Sequence, residues 1–509
     1  MSRSTSPAVR RLLIGAFACL TPLAGCKTVG PDYKGPPGVA AVNRPDAKAP
    51  FVSAAGPAFS PEVAPDGWWR LYDDPRLDQL MQEAFAANTD LRVATANLER
   101  SQALVRQVKA ARTPSVEANA SVLYDQLSAQ QYLILQGVLP TVGLYDAGVS
   151  ISYELDLFGR LHRAVQAVAA EDEAVEAARD LTRITVAAQV ASAYAQACGA
   201  GEELAAANHA LALQQQSDAV IHRLIKVGRA STPDATRSAG QVAQAQASIP
   251  GLEGAQRNAL FRLAVLTGRT PELFPKDLER CAVSPRVAQP IPVGDGEALL
   301  RRRPDVRESE RLLASSTAAI GVATAELYPK VSLGVYAGSF GLLPDLLHNA
   351  TNTYSIGPNV SWQVNQSVAR AKIAAANATA QARLAQFDGV VLSALRETEA
   401  SLNSYSHDLQ READIQRVRD RGAEAEAQAQ RLYTAGRGDY LSLLDAQRTL
   451  AAADLAVAAS HAQLAQDQVT IFLALGGGWE GEGPQAVTAG VDSPPAAKSG
   501  VPPMERRAG

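Results

Sequence analysis

Few residues in this chain are placed to do covalent chemistry, and the clearest is a cysteine. Arg3, Arg10 and Arg11 precede an apolar run from Leu12 to Leu20, too short to span a bilayer as a mature helix. Leu23–Ala24–Gly25–Cys26 then has the form of a bacterial lipobox, with cleavage before Cys26 and acylation of its sulfur. The competing reading is an ordinary secretion leader with a chance cysteine. Acyl chains on Cys26 would hold the protein on lipid, each buried methylene contributing ~0.8 kcal/mol. Lys27 follows, not Asp, which for this class of lipoprotein implies the outer membrane.

Enzymatic readings find little support. There are six histidines, and His162, His222 and His407 are scattered without metal-ligand spacing. Neither GxSxG nor a P-loop occurs, so no catalytic residue, cofactor or metal is expected. A formal charge of −4 offers no basic footprint for nucleic acid. Once Cys19 leaves with the leader and Cys26 is acylated, Cys198 and Cys281 remain. They are either a disulfide, which an oxidising compartment permits, or two buried thiols.

The chain that must position these groups repeats itself. Asp305–Val306–Arg307 reads onto Asp90–Leu91–Arg92, and Tyr328–Pro329 onto Thr113–Pro114, each 215 positions apart. Further on, Leu432 to Gly436–Arg437 reads onto Leu224 to Gly228–Arg229 at an offset of 208. Two copies of a unit of roughly 200 residues imply one architecture with internal pseudo-symmetry.

Within each unit the periodicity changes in the same order. Helical spacing runs from about Pro75 to Ala111 and stops at Pro114. Alternation follows: Val116, Ala118, Ala120 and Val122, then Val149, Ile151, Tyr153, Leu155 and Leu157. The second unit alternates at Val331, Leu333 and Val335, and again at Ile356, Val360 and Trp362. Long helical stretches come next, from about Leu161 to Val227 and from about Val368 to Ala435, each about 100 Å long at ~1.5 Å per residue. Glycine-containing tips then lead into return helices. In the second, Leu443, Leu450, Val457, Leu464 and Ile471 keep an unbroken heptad, which implies coiled-coil packing. In the first, Pro250–Gly251 is expected to kink the helix.

No apolar run after the leader reaches the ~20 residues of a transmembrane helix, so a span must use strands. Four strands cannot close a barrel, and bilayers do not tolerate open edges. The chain is therefore expected to oligomerise, as a dimer with eight strands or a trimer with twelve. Tyr145, Tyr153, Tyr354 and Trp362 are candidates for the membrane interface, with strand packing as the alternative.

Six stretches carry a family resemblance over nearly all of the ordered chain. They are Cys26 to Tyr33, Tyr153 to Arg160, Arg302 to Val306, Ala325 to Pro329, Leu443 to Arg448 and Leu475 to Trp479. In this order the chain resembles the TolC-like outer-membrane factors of tripartite efflux pumps, and specifically their OprM-like lipoproteins. The resemblance implies an α+β membrane protein that works as a homotrimer. Four strands per protomer would form a shared twelve-stranded outer-membrane barrel continuous with a long periplasmic helical barrel. It also implies two protein partners, a periplasmic adaptor and an inner-membrane efflux pump, with small molecules or drugs as cargo. A type I protein-secretion duct and a non-channel coiled-coil lipoprotein scaffold are the alternatives.

Carried over residue by residue, the resemblance places a periplasmic gate at Leu441, Asp445 and Arg448. Their first-unit counterparts include Arg237 and Gly240, so this chemistry belongs to one unit, and a solvated helical ion pair is the plain alternative. It places adaptor docking at the tips: Arg223, Leu224, Val227, Gly228 and Asp234, then Arg431, Leu432, Gly436 and Asp439. One junction departs from the family pattern. The first unit has Leu157–Phe158–Gly159–Arg160, whereas the second has Val364–Asn365–Gln366–Ser367. The expected organisation is a leader (1–25), a lipid-anchored extended tether (26–65), a first unit (66–270), an irregular equatorial connector (271–300), a second unit (301–479) and a disordered tail (480–509).

Overall fold

The computed structural model describes residues 28–126, 128–129, 137–346 and 348–477. The leader, Cys26, Trp479 and the tail expected at 480–509 lie outside the described residues. The first half contains β1 (Phe59–Ser60), α1 (Pro75–Ala87), α2 (Thr89–Ala110), β2 (Ser115–Asp125), β3 (Val142–Leu155), α3 (Arg160–Lys226) and α4 (Thr232–Leu266). The connector contains β4 (Ile291–Pro292) and α5 (Gly296–Arg302), a helix in a stretch expected to be irregular. The second half follows with α6 (Pro304–Ala325), β5 (Lys330–Leu342), β6 (Asn352–Ser361), α7 (Ser367–Thr434) and α8 (Tyr440–Ala474).

The long helices α3 and α7 have 67 and 68 residues. Each is flanked by shorter helices that meet end to end. Helix α3 packs against α2 and α4 on one side and against α6 and α8 on the other, while α7 packs on α6 and α8. The wall is thus four columns wide: α2 with α4, α3, α6 with α8, and α7.

Helix ends leave carbonyls and amides without partners, so each end-to-end meeting needs polar satisfaction. At the first, Asn88 accepts from the amides of Asp90 and Leu91 (2.9 and 3.2 Å) and so caps α2. Its Nδ2 donates to the Leu266 carbonyl at the end of α4, 3.1 Å away. This buried cap divides the helix expected over Pro75–Ala111 into α1 and α2. At the second, Arg303 fills the equivalent place. Its Nη1 donates to the Ala474 carbonyl at 2.9 Å, and its other nitrogens donate to Asp305 and Glu397. Arg303 lies 215 positions after Asn88, and Ala474 lies 208 after Leu266. The two joints are therefore equivalent positions met by different chemistry. Gly268 and Gly476 close them with φ of +74° and +67°. A Cβ at Gly268 would lie 2.9 Å from the Ala87 carbonyl oxygen, so the close approach also requires glycine.

Around these joints lies the main core, where Trp68 stacks on Phe472 with ring centroids 4.7 Å apart. Segment 28–65 is not a loose tether. Ala40, Ala47 and Phe51 are buried, and two carboxylates of α7 hold its short 3₁₀ turns. Asp388 accepts from the Ala41 amide, and Glu399 accepts from the Val52 and Ser53 amides. At its start Arg163 donates to the Val29 and Gly30 carbonyls and to Asp32. The connector is fastened too: β1 pairs with β4, and Cys198 of α3 is disulfide-bonded to Cys281. Helix α4 continues through Pro250, the position at which the sequence places a kink. Pro250 and Gly251 are both exposed.

Removing the first joint tests the arrangement. Asn88→Ala deletes both the cap and the donor to Leu266 and is expected to cost about 1–2 kcal/mol. Asn88→Asp, which keeps the cap but not the donor, should cost less. Denaturant midpoints of the purified protein would show this, and an Asn88→Ala midpoint equal to the parent's would refute the joint.

Candidate functional site

Strands β2, β3, β5 and β6 form one antiparallel sheet in that order. Register fixes which residues share a face. Ala118, Val149, Ala337 and Tyr354 form one row, and Glu117, Ser150, Tyr336 and Ser355 form the next on the opposite face. One face is therefore apolar and the other mainly polar, apart from Phe340 and the end row Leu123, Leu144 and Leu342. The apolar face lies open in the single chain: Val116 is 67% exposed, Val122 68%, Ile356 72% and Tyr354 86%. Strands β2 and β6 are edges with no further strand beside them among the described residues. No described helix is long and apolar enough to cross a membrane. Of the aromatics considered for an interface, Tyr354 is exposed on the apolar face. Tyr145 is instead buried, its hydroxyl bonded to Ser339 and Thr351, so packing explains it.

The two strand-to-helix junctions differ, as the sequence departure implied. In the first, Gly159 adopts φ +78° and Asp156 accepts from the Leu161 and His162 amides. Thr28 packs directly on Gly159, and the Val29 amide donates to Phe158. In the second, Asn365 accepts from the Ser367 amide, and Trp362 donates to the Leu327 carbonyl. Phe158 stacks on Tyr328 at 4.5 Å, which ties the first junction to the turn between α6 and β5.

At the far end both hairpins turn in the same way. Gly228 and Gly436 have φ of +66° and +68°, and the amides of Arg229 and Arg437 donate back to Leu224 and Leu432. Arg223, Val227, Gly228, Arg431, Leu432 and Gly436 are exposed, and Leu224 is half-buried. Asp234 and Asp439 have local work. Asp234 accepts from the Ser231 amide and hydroxyl, and Asp439 accepts from the Ser442 amide. Hydrogen bonding to Ser231 and to Ser442 respectively holds both carboxyls below their ordinary range. At the 208 offset Ser231 matches Asp439 and Asp234 matches Ser442, so the same cap is built with the partners exchanged.

Leu441, Asp445 and Arg448 lie together on one exposed stretch of α8. Among the described residues Asp445 and Arg448 form no ion pair, with each other or with a third group. They face a groove of about 420 Å³ between α4 and α8, floored by Ala207, Ala210 and Gln214 of α3. Their counterpart Arg237 pairs locally with Asp234 at 3.6 Å. Sequence reasoning missed two contacts that hold this region. Tyr433 and Tyr440 meet edge-on across the second tip at 5.8 Å, and buried Ser217 donates to Gln447 at 2.7 Å, joining α3 to α8. The tyrosine pair was findable, being one heptad apart and present in one unit only.

The chain belongs to the outer membrane efflux protein family, whose sequence profile matches residues 80–269 and again 296–477. It is similar to the antibiotic efflux pump outer membrane protein ArpC of Pseudomonas putida, 29% identical over 93% of this chain and 97% of that one. It is also similar to the probable outer membrane lipoprotein SilC of Salmonella typhimurium, 27% identical over 90% of this chain and 96% of that one. Among solved structures, that of the outer-membrane channel OprN superposes with a TM-score of 0.81 at 34% identity, covering 89% of this chain and all of that one.

At the equator, α3 and α8 are tied by a titratable bridge. His461 Nδ1 lies 2.7 Å from Glu202, its Nε2 lies 3.5 Å from Glu412, and Glu202 also accepts from the Ser284 amide. The Glu202 contact raises the His461 pKa against burial and the nearby Arg286. Glu202 is pushed up by burial but held below its ordinary range by His461 and Ser284. The His461 contribution is therefore present below pH ~6.5 and lost as pH rises through the raised folded value. The Glu202 contribution is lost as pH falls through the lowered one. His461→Ala should destabilise most between roughly pH 5 and 6.5 and less at pH ~9. Unfolding midpoints at these pH values check it, and an equal loss at all of them would contradict the bridge.

Proposed function

We propose that three copies of this chain close their sheets into one twelve-stranded barrel in the outer membrane, continuous with a tunnel walled by the long helices. The protein is the outer-membrane channel component of an efflux system. The observation that carries the assembled form is the sheet: an apolar face open to its surroundings, a mainly polar face opposite, and two edges with no partner strand among the described residues. Hydrocarbon would cover that apolar face, and the edges must find strands in further copies because lipid offers no hydrogen bonds. Twelve strands leave room for water inside, whereas eight would fill with side chains.

The first described residues support the lipid anchor. Thr28 rests on Gly159 at the strand-to-helix junction, and Cys26 is two residues earlier. At ~3.6 Å per residue at most, the acylated sulfur is held close to the membrane-facing end of α3. Arg223, Leu224, Val227, Gly228, Arg431, Leu432 and Gly436 are the surface for a periplasmic adaptor, which would couple the duct to an inner-membrane pump. Asp234 and Asp439 contribute there by fixing the turns. Leu441, Asp445 and Arg448 form the gate. Three Asp445 carboxylates around a narrow axis would repel anions and favour cations. The duct is passive: small molecules pass through it, and no bond is made or broken.

Single-channel recordings in planar bilayers test the reading. The parent should conduct with low open probability, and Asp445→Ala combined with Arg448→Ala should raise it, since neither side chain holds an ion pair that keeps α8 folded. Absence of conductance in both proteins would sink the duct.

A further inference from the structure

Among the described strand residues, the aromatics sort unevenly between the two faces. Tyr124, Tyr145, Tyr153 and Tyr354 fall on the apolar face by register, while Tyr336 and Phe340 of β5 fall on the polar one. Tyr336 is seated in a specific way. In the adjacent row Gly148 and Gly338 stand directly opposite each other, leaving a patch without side chains. The Tyr336 ring lies over this patch. A Cβ at Gly148 would fall 2.5 Å from the Tyr336 hydroxyl oxygen and 2.7 Å from two ring carbons. A Cβ at Gly338 would also fall 2.5 Å from that oxygen. The hydroxyl donates to Asp146 Oδ1 at 3.0 Å, one row beyond the glycines. An aromatic ring on the water-facing wall is thus laid flat along the sheet, with a glycine floor beneath it and a carboxylate at its tip.

The geometry points to Tyr336 as the residue that sets the bore of the barrel, held against the wall by Gly148, Gly338 and Asp146. This rests on the duct reading, in which the polar face lines the lumen. A glycine pair in a strand interior sacrifices strand propensity and cross-strand packing. A ring lying over it recovers that packing and keeps a bulky side chain out of the channel. Phe340 lies opposite Asp146 and is 58% exposed, so the same strand also presents an unburied ring to passing solutes. Pore width and lining groups are what a passive duct uses to discriminate. Tyr336 is therefore a positioning element of selectivity, and a side chain added beneath it would raise the ring into the lumen.

The test uses the full-length lipoprotein as the assembled channel, recorded in planar bilayers in the Asp445→Ala/Arg448→Ala background so that the periplasmic end does not limit the current. Gly148→Ala is the cleaner probe, because a Cβ at Gly338 would also meet the Ala147 carbonyl oxygen at 2.7 Å. Gly148→Ala should lower the open-channel conductance and Tyr336→Ala should raise it. The Gly148→Ala/Tyr336→Ala double variant should match Tyr336→Ala alone, since the methyl then has no ring to lift. A Gly148→Ala fall of equal size with and without the ring would overturn the inference, as would unchanged conductance in Tyr336→Ala. Should Gly148→Ala fail to assemble, Tyr336→Cys provides the second measurement. A membrane-impermeant thiol reagent should label it and reduce the current, and a cysteine reached only by lipid-soluble reagents would place Tyr336 outside the lumen. A background channel with no conductance would overturn the duct reading itself, and this inference with it.

Discussion

An unpaired sheet edge cannot sit in hydrocarbon, and the rest of this molecule is organised around that constraint. Each edge strand presents a row of amides and carbonyls that water would otherwise satisfy. In this chain the edges belong to β2 and β6, and the sheet between them is apolar on one face. The described residues place four strands in this sheet, and the proposed barrel closes it with strands from other copies. The helices extend the same logic out of the membrane. Strand β3 leads directly into α3 and β6 into α7, so a closed ring of strands would impose a closed ring of helices below it.

A ring of helices about 100 Å tall needs every column to reach its full height. Only α3 and α7 do so as single helices. The other two columns are spliced from two shorter helices each, and the splices are where the internal repeat carries mechanical meaning. Asn88 and Arg303 occupy equivalent places and donate to equivalent carbonyls, yet one is a neutral cap and the other a guanidinium bonded to two carboxylates. The first unit is further closed by the Cys198–Cys281 bond across the base of its hairpin, with no counterpart in the second. The two hairpins are thus alike in path and unlike in attachment. The unit with the disulfide lacks the Asp445 and Arg448 chemistry, and the unit with that chemistry is tied by polar contacts such as Ser217–Gln447.

Periodicity made the large features legible. The switch from period 3.6 to period 2 and back located the four strands of the large sheet, though β3 begins at Val142, well before Val149, and Leu157 and Trp362 fall just outside the strands; the long helices fell within a residue of their expected ends. Glycine tips and the heptad of α8 were readable for the same reason: each is a local demand of the backbone or of a repeating seam. What the sequence hid depends on residues far apart. Asn88 interrupts a helical pattern that continues on both sides; its cap on Asp90 and Leu91 is local, but the contact with Leu266 that fixes the break in the core is not. Segment 28–65 has no periodicity, so its attachment to Asp388 and Glu399 could not be read. Tyr145 has an interface residue's type, but Ser339 and Thr351 bury it. The flat seating of Tyr336 needs two glycines from different strands, 190 positions apart, and local pattern carries no trace of it.

The most direct measurement of the central claim is the native mass of the assembly extracted from the outer membrane in mild detergent, with lipid stripped in the gas phase. Closure of four-stranded sheets into a water-filled barrel predicts three copies of the mature, acylated chain. A mass of one copy would leave the edges of β2 and β6 unpaired, and a mass of two would give a barrel too narrow to conduct. Either result would contradict the account.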